Sequence, residues 1–209
     1  AMDFLNSGIH VLLEKPCTNN LKDAQELFKV AEKKNLTLHI GHVERFNGAV
    51  QELFKIVTEP IFVECTRMSP FTDRIKGDGV VLDVMIHDID IVLNLIKSKV
   101  VKTNVLSSTV FSERDDLVVA QLQFENNCIA NILASRASQN KVRTLEVTQK
   151  DSYVVLDYTD QEIYIHRQSS SEHQLSKGAL RYKQESLIER IFVHKDNPLK
   201  LELQHFIDC

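Results

Sequence analysis

An apolar run at residues 9–13, Ile-His-Val-Leu-Leu, ends abruptly in Glu14-Lys15-Pro16. Its length and composition are those of a buried strand. Pro16 has no amide hydrogen and holds the preceding residue extended, so the strand must end there. Ligands of open α/β sheets bind at the carboxyl ends of the strands. The run therefore predicts that Lys15 is held at the rim of a sheet, where its ammonium can polarise a substrate oxygen or transfer a proton; an ordinary solvated lysine is the alternative.

A second apolar strand follows the first after a helix. Residues 21–34 carry apolar side chains at helical spacing, and Asn20 can cap that helix. The second strand, at residues 36–40, leads into a glycine and a polar cluster at residues 41–47, Gly-His-Val-Glu-Arg-Phe-Asn. The pattern predicts a strand–helix–strand unit.

A third informative segment is the predicted helix at residues 81–96, where apolar residues recur at helical spacing. Asp83 and His87 are four residues apart and so share a face of this helix, with Asp90 close to the same face. Burying such polar groups on a largely apolar helix is costly unless they serve a purpose. Acid–base chemistry is the purpose we favour over a capping and ion-pair network at the helix start, or a metal site.

Together the three segments resemble one family, the Gfo/Idh/MocA oxidoreductases, in order and in approximate spacing. The matching residues are the strand with its Glu-Lys-Pro at residues 10–16, the cluster at residues 41–47, and the Asp83-x-x-x-His87 pair with its following acidic residues. The resemblance covers nearly the whole chain. It implies hydride transfer between a sugar carbon and NAD or NADP.

The fold implied by the resemblance is α/β plus α+β. Residues 1–43 would be the C-terminal remnant of a Rossmann-type dinucleotide-binding domain. Residues 44–209 would form a mixed, largely antiparallel, open-faced sheet domain with helices on one face. The sequence contains no Gly-x-Gly-x-x-Gly fingerprint, and residues 198–209 read as an amphipathic helix without a cap. We therefore expect a fragment whose glycine-rich phosphate cradle lies upstream, and whose C-terminus is also truncated.

After about residue 100, the sequence pattern is typical of β-strands. Residues 118–124 alternate between polar and apolar side chains, which is typical of an antiparallel sheet with one solvated face. The polar run at residues 169–174 predicts a loop. An open sheet face predicts association of copies of the chain into a homodimer or homotetramer.

The resemblance assigns the catalytic group to Lys15, Asp83 and His87. His87 is the predicted base, because an unperturbed imidazole has a pKa of about 6.5. Asp83 would orient the imidazole, and Lys15 would donate to the reacting oxygen and stabilise alkoxide character. A lysine of lowered pKa acting as the base is the alternative.

Further residues are candidates for binding. Expected cofactor contacts, beside Lys15, are Glu14, His42, Arg45 and Asn47. Expected substrate contacts, beside the catalytic group, are Arg67 and Arg74, because guanidinium matches the geometry of a diphosphate. Residues 67–74 also resemble the branch of the family that oxidises the 3-hydroxyl of UDP-N-acetylglucosamine; for both arginines a solvated surface position is the alternative.

Composition narrows the remaining possibilities. The formal net charge of −4 shows no basic bias towards nucleic acid, and no apolar run approaches the roughly 20 residues that span a bilayer. The four cysteines are scattered without metal-ligand spacing, so we expect reduced, mostly buried thiols in a cytoplasmic protein. The second functional hypothesis is a non-catalytic sugar-nucleotide binding or regulatory protein that retains the sheet domain.

Overall fold

A computed structural model describes residues 1–72, 77–175 and 179–209, with side chains described for these residues except 168–175 and 179–186. The helices are α1 (Met2–Asn6), α2 (Leu21–Lys33), α3 (Gly48–Ile56), α4 (Ile86–Ile96) and α5 (Pro198–Asp208). A 3₁₀ turn (Val43–Phe46) precedes α3, and a π turn (Val81–Met85) precedes α4. The strands are β1 (Val11–Glu14), β2 (Leu38–Gly41), β3 (Phe62–Met68), β4 (Val100–Ser108), β5 (Leu117–Phe124), β6 (Ile129–Ser135), β7 (Val142–Thr148), β8 (Tyr153–Asp157), β9 (Glu162–Leu175) and β10 (Ala179–Ile191).

The N-terminal part is the strand–helix–strand unit that the sequence predicts. Strands β1 and β2 pair in parallel, with Glu14 opposite Gly41 at their carboxyl ends. Asn20 caps α2 by accepting a 2.9 Å hydrogen bond from the amide of Asp23. The unit buries a small apolar cluster made of Leu5, Val11, Leu27 and Ala31. The polar residues that follow both strands therefore meet at one edge of this sheet.

The larger part is an eight-stranded sheet in the order β10-β9-β8-β7-β3-β6-β5-β4. Strand β3 pairs in parallel with β6, and the other neighbouring pairs are antiparallel. Helices α3 and α4 supply buried residues to the main apolar core. The prediction of a mixed, largely antiparallel open sheet is confirmed. The predicted loop at residues 169–174 is wrong, because these residues lie in β9 and pair with β10.

Helix α5 returns to the N-terminal unit. The imidazole of His205 lies 5.4 Å, between ring centroids, from both His39 and Phe46. Glu202 of the same helix is completely buried, and its carboxylate lies 3.8 Å from the His39 ring. The contact crosses the predicted domain boundary after residue 43, which stays a prediction. Among the described residues, no helix is long and apolar enough to cross a membrane.

Gly48 is required by a close approach of the chain to itself. A β-carbon at this position would lie 2.4 Å from the carbonyl oxygen of His194. The amide of Gly48 also donates to the side chain of Gln161, at 3.3 Å. Asn47 caps α3 at this point through the amide of Ala49. The first helical position is therefore closed to any residue with a side chain.

We expect Gly48→Ala to destabilise the protein by about 1–3 kcal/mol, although alanine is the better helix former. The reason is the overlap with the His194 carbonyl, which belongs to backbone and cannot rotate away. Chemical denaturation measures the change in the free energy of unfolding. Gly77→Ala is the matched control, since a β-carbon there meets no atom within 4 Å; equal stability of the two variants would contradict the prediction.

Candidate active site

Lys15 joins the N-terminal unit to the turn that precedes α4. Its ammonium donates a 2.6 Å hydrogen bond to the backbone carbonyl of Asp83 and lies 3.8 Å from the Asp83 carboxylate. Both side chains are about one-fifth exposed, at 19% and 20%. The sequence prediction that these two residues share a site agrees with this geometry.

The π turn explains which way Asp83 faces. A π turn closes hydrogen bonds from residue i to i+5 rather than i+4, so its faces are shifted by one residue relative to an α-helix. Asp83 lies in the π turn, whereas His87 lies in the first turn of α4. The carboxylate of Asp83 consequently contacts Lys15. We expected Asp83 to orient the His87 imidazole. Among the described residues, however, Nδ1 of His87 is buried and has no hydrogen-bond partner.

His87 is a neutral imidazole in a positive environment. Burial is the main cause that lowers its pKa, to about 3, and the charges of Arg67, Lys15, His42 and Arg143 lower it further. The ordinary pKa assumed from sequence is therefore wrong for this structure. The free imidazole is available as a proton acceptor, but its proton affinity is weak until some of that positive charge is compensated.

Asp90 organises the residues that follow β2. Its carboxylate accepts two hydrogen bonds from the Arg45 guanidinium, the Nε bond being 2.7 Å long. Nδ1 of His42 lies 3.8 Å from the same carboxylate and is buried without a hydrogen-bond partner among the described residues. Burial lowers the pKa of His42, with Arg45 and Lys15 adding to the effect and Asp90 opposing it. His42 and Arg45 thus lie at the same sheet edge as Lys15.

Arg67 has a different place from the one expected. Its guanidinium is buried and donates two 2.8–2.9 Å bonds to Asp88 and one of 2.9 Å to Glu44. Burial alone lowers the pKa of Arg67, but the contact with Asp88 outweighs it and the net shift is upward. Three N–H donors of Arg67 are thus used inside the protein, and its expected contact with a diphosphate stays a prediction.

The remaining predicted site residues are placed unevenly. Asn47 is buried, caps α3 and donates to the carbonyl of Tyr158 at 3.1 Å. Its contact with a cofactor stays a prediction. Glu14 is exposed at the end of β1. Arg74 lies outside the described residues.

Sequence reasoning missed three charged residues of this region. Asp88 and Glu44 neutralise the buried Arg67. Asp88 directly follows His87, and this adjacency in a buried helix was the available signal. Arg143 lies near enough to His87 to lower its pKa. It comes from β7, and no local pattern connects that strand to the site.

The arrangement can serve acid–base chemistry at a bound sugar or cofactor. The Lys15 ammonium lies at the carboxyl end of a parallel strand, the usual ligand position of such sheets, and contacts the Asp83 carboxylate of the π turn that leads into His87. The buried, unpartnered ring nitrogens of His42 and His87 leave hydrogen-bonding capacity for a ligand. These features suit the nicotinamide side of a dinucleotide. Among the described residues, no cluster of three or more His, Cys, Asp or Glu side chains could hold a metal ion.

Fold and site together define a class of protein in which a Rossmann-type strand–helix–strand unit is joined to an open-sheet domain. Sequence comparison agrees with this class. Residues 39–154 match the GFO/IDH/MocA C-terminal domain, and residues 1–42 match the oxidoreductase family with an NAD-binding Rossmann fold. The chain belongs to the Gfo/Idh/MocA oxidoreductase family.

Individual relatives place the chain within this family. It is 29% identical over 167 residues to the UDP-N-acetylglucosamine 3-dehydrogenase of Acidithiobacillus ferrooxidans, an alignment that covers 79% of this chain and 53% of the relative. A solved structure of the Acidithiobacillus ferrooxidans enzyme superposes with a TM-score of 0.88 at 26% identity, over 99% of this chain and 64% of the other. The chain thus spans between half and two-thirds of the length of these relatives.

A more distant solved structure shows the same fold. The aldose-aldose oxidoreductase of Caulobacter crescentus, complexed with glycerol, has a TM-score of 0.80 at 19% identity, and the match covers 99% of this chain and 63% of the other. A shorter sequence match joins 41 residues, 20% of this chain and 14% of the relative, to human biliverdin reductase A at 56% identity.

We expect His87 to make the protein sensitive to acid. The folded state holds His87 with a pKa of about 3, whereas the unfolded chain protonates it near pH 6.5, so the unfolded state binds more protons between these values. The contribution of His87 to the free energy of unfolding is complete above pH 6.5 and is lost as the pH falls towards 3. His87→Gln should remove up to about 1.4 kcal/mol per pH unit of this dependence between pH 6 and 4.

Urea denaturation across that pH range measures the effect. The matched control is His194→Gln, a change at an exposed histidine, which should keep the wild-type slope. A His87→Gln slope equal to that of the wild type would show that His87 titrates normally in the folded protein.

Proposed function

We propose that the protein carrying this chain is an NAD(P)-dependent dehydrogenase that acts on a secondary alcohol of a sugar or nucleotide sugar. The single observation that carries the proposal is the contact of Lys15 with Asp83, at the carboxyl end of β1 and next to the neutral His87. A non-catalytic binding or regulatory protein has no need to hold an ammonium and a free imidazole together in this way.

In the proposed reaction, the alcohol lies between the nicotinamide and the group formed by Lys15, Asp83 and His87. The hydroxyl proton moves to the free imidazole of His87, and the carbon–oxygen single bond becomes a carbonyl as hydride leaves the carbon. The bound cofactor supplies the acceptor for that hydride. Lys15 donates a hydrogen bond to the reacting oxygen and stabilises its developing negative charge. Asp83 holds the ammonium in place through its carbonyl and carboxylate.

The cofactor contacts in this proposal come from the sheet edge. Glu14, Lys15, His42 and Arg45 end or follow β1 and β2, and the support for their role is that ligands of such folds bind at the carboxyl ends of the strands. Either NAD or NADP is compatible with these residues. We keep the predicted division of the chain, with residues 1–43 belonging to the dinucleotide-binding unit and residues 44–209 to the sheet domain.

For the substrate we propose the 3-hydroxyl of UDP-N-acetylglucosamine or a similar nucleotide sugar. The support is the resemblance to the Acidithiobacillus ferrooxidans enzyme of that name, which extends over most of this chain. We further propose that the protein acts in the cytoplasm and needs neither nucleic acid nor a membrane.

Association through the open sheet face is a further proposal. Residues directly opposite one another across the strands share a face, and on the face away from α3 and α4 lie four exposed apolar side chains: Leu106, Ile129, Tyr153 and Ile188. A homodimer or homotetramer would cover them. Sedimentation of the full-length protein tests this, because Ile129→Asp should shift the mass to that of a monomer. Leu21→Asp, at an apolar side chain exposed on α2, is the control.

The activity is tested with the full-length protein, NAD or NADP, and a panel of UDP-sugars, inositols and simple sugars. We expect Lys15→Met and His87→Gln each to lower kcat by about 10²–10⁴-fold, the usual contribution of a positioned acid or base. Lys29→Met, at an exposed lysine of α2, should leave kcat unchanged. Full activity of both site variants, or no turnover with any member of the panel, would refute the proposal.

A further inference from the structure

Two arginines face each other across the middle of the large sheet. In the antiparallel pairing of β3 with β7, Arg67 stands directly opposite Arg143. Directly opposed residues project from the same face of a sheet, and like charges in that position repel. The neighbouring opposed pairs, Cys65 with Leu145 and Val63 with Val147, are completely buried in the core beneath the helices. Both arginines therefore belong to the face that α4 covers.

Among the described residues, carboxylates contact Arg67 but not Arg143. The Arg67 guanidinium forms ion pairs with the carboxylates of Asp88 and Glu44. Nε of Arg143 is buried and, over the described part of the chain, makes no hydrogen bond. A buried donor without a partner is rare and costly. Nε of Arg143, which no acceptor contacts in the described part of the chain, is therefore a donor that a bound ligand can use.

The surroundings of Arg143 determine the charge of that acceptor. The positive charges of Arg143, Arg67 and Lys15 all lower the pKa of His87, and His42 acts in the same direction. Asp83 and Asp90 partly compensate Lys15 and His42. No corresponding carboxylate contacts Arg143 among the described residues. An anion is therefore the ligand that fits beside it.

We propose that Arg143 binds an anionic oxygen of the substrate, a phosphate or a carboxylate, and that this anion is part of what the enzyme selects. The inference rests on the proposed function, because it names the substrate class of the same site. Guanidinium binds both oxyanions through paired N–H donors, whereas it gains much less from a neutral hydroxyl. A bound anion also offsets one of the positive charges around His87 and so strengthens the base that receives the hydroxyl proton.

Calorimetric binding to the full-length protein tests the proposal with two pairs of probes. UDP-N-acetylglucosamine against N-acetylglucosamine reports a phosphate, and glucuronate against glucose reports a carboxylate. For the anionic member of at least one pair, Arg143→Gln should weaken binding by about tenfold or more, the loss typical of a charged hydrogen bond. It should leave the neutral members unchanged. Arg143→Lys should restore part of the affinity, since it keeps the charge but loses the paired donors.

The control is Arg190→Gln, at an exposed arginine of β10 that pairs with Glu162, which should bind all four probes like the wild type. Equal losses for the anionic and neutral members of each pair, or no loss for any, would overturn the inference. If Arg143→Gln does not fold, Arg143→Lys decides the matter by the same comparison. Anion binding that depends on Arg143 in a protein without turnover would support the inference while the proposed dehydrogenase activity fails.

A second readout separates binding from mere structural support. If the substrate anion binds Arg143, the Arg143→Gln variant should lose more of its rate at low concentrations of the anionic substrate than at saturation, so KM rises more than kcat falls. Arg143→Gln also removes one of the positive charges that lower the pKa of His87, so the acidic limb of the pH–rate profile should move to higher pH. An unchanged KM together with a lower kcat would contradict the proposal.

Discussion

The buried guanidinium of Arg67 holds together the elements from which the site is built. It extends from β3, pairs with Asp88 of α4, and reaches Glu44 in the 3₁₀ turn after β2. Removing one partner of such a buried group leaves a charge without compensation, which is far more costly than losing a surface ion pair. Because α4 also carries His87, the position of the imidazole depends on this contact between sequence-distant residues.

The same contact sets the electrostatics of the site. The carboxylates of Asp88 and Glu44 both pair with Arg67, so the other positive charges around His87 are only partly compensated. Burial then keeps the imidazole neutral, and the nearby charges reinforce the effect. A neutral but weakly basic histidine is suited to a substrate that brings negative charge of its own. Stability and chemistry are thus coupled through the distribution of a few buried charges.

Sequence patterns were most informative where the chain interacts with its near neighbours. The strand that ends at Lys15, the capped helix α2 and the parallel return of β2 follow from hydrophobic spacing and turn residues, and the structure confirms them. Sequence patterns were less informative where burial determines which groups a side chain contacts. Arg67 and Asn47 look like exposed ligand-binding residues in the sequence, but both are packed inside and bonded to groups from distant segments.

By itself, the sequence determined the order of strands and helices, the family resemblance, and the presence of a lysine at a sheet edge. Only the tertiary structure decided that Asp83 contacts Lys15 rather than His87, because a π turn displaces it from the α-helical face. It also decided that carboxylates contact Arg67, whereas Nε of Arg143 has no acceptor among the described residues. Local spacing specifies elements through backbone geometry, whereas the pairing and pKa of buried charges depend on neighbours that come together only in the folded chain.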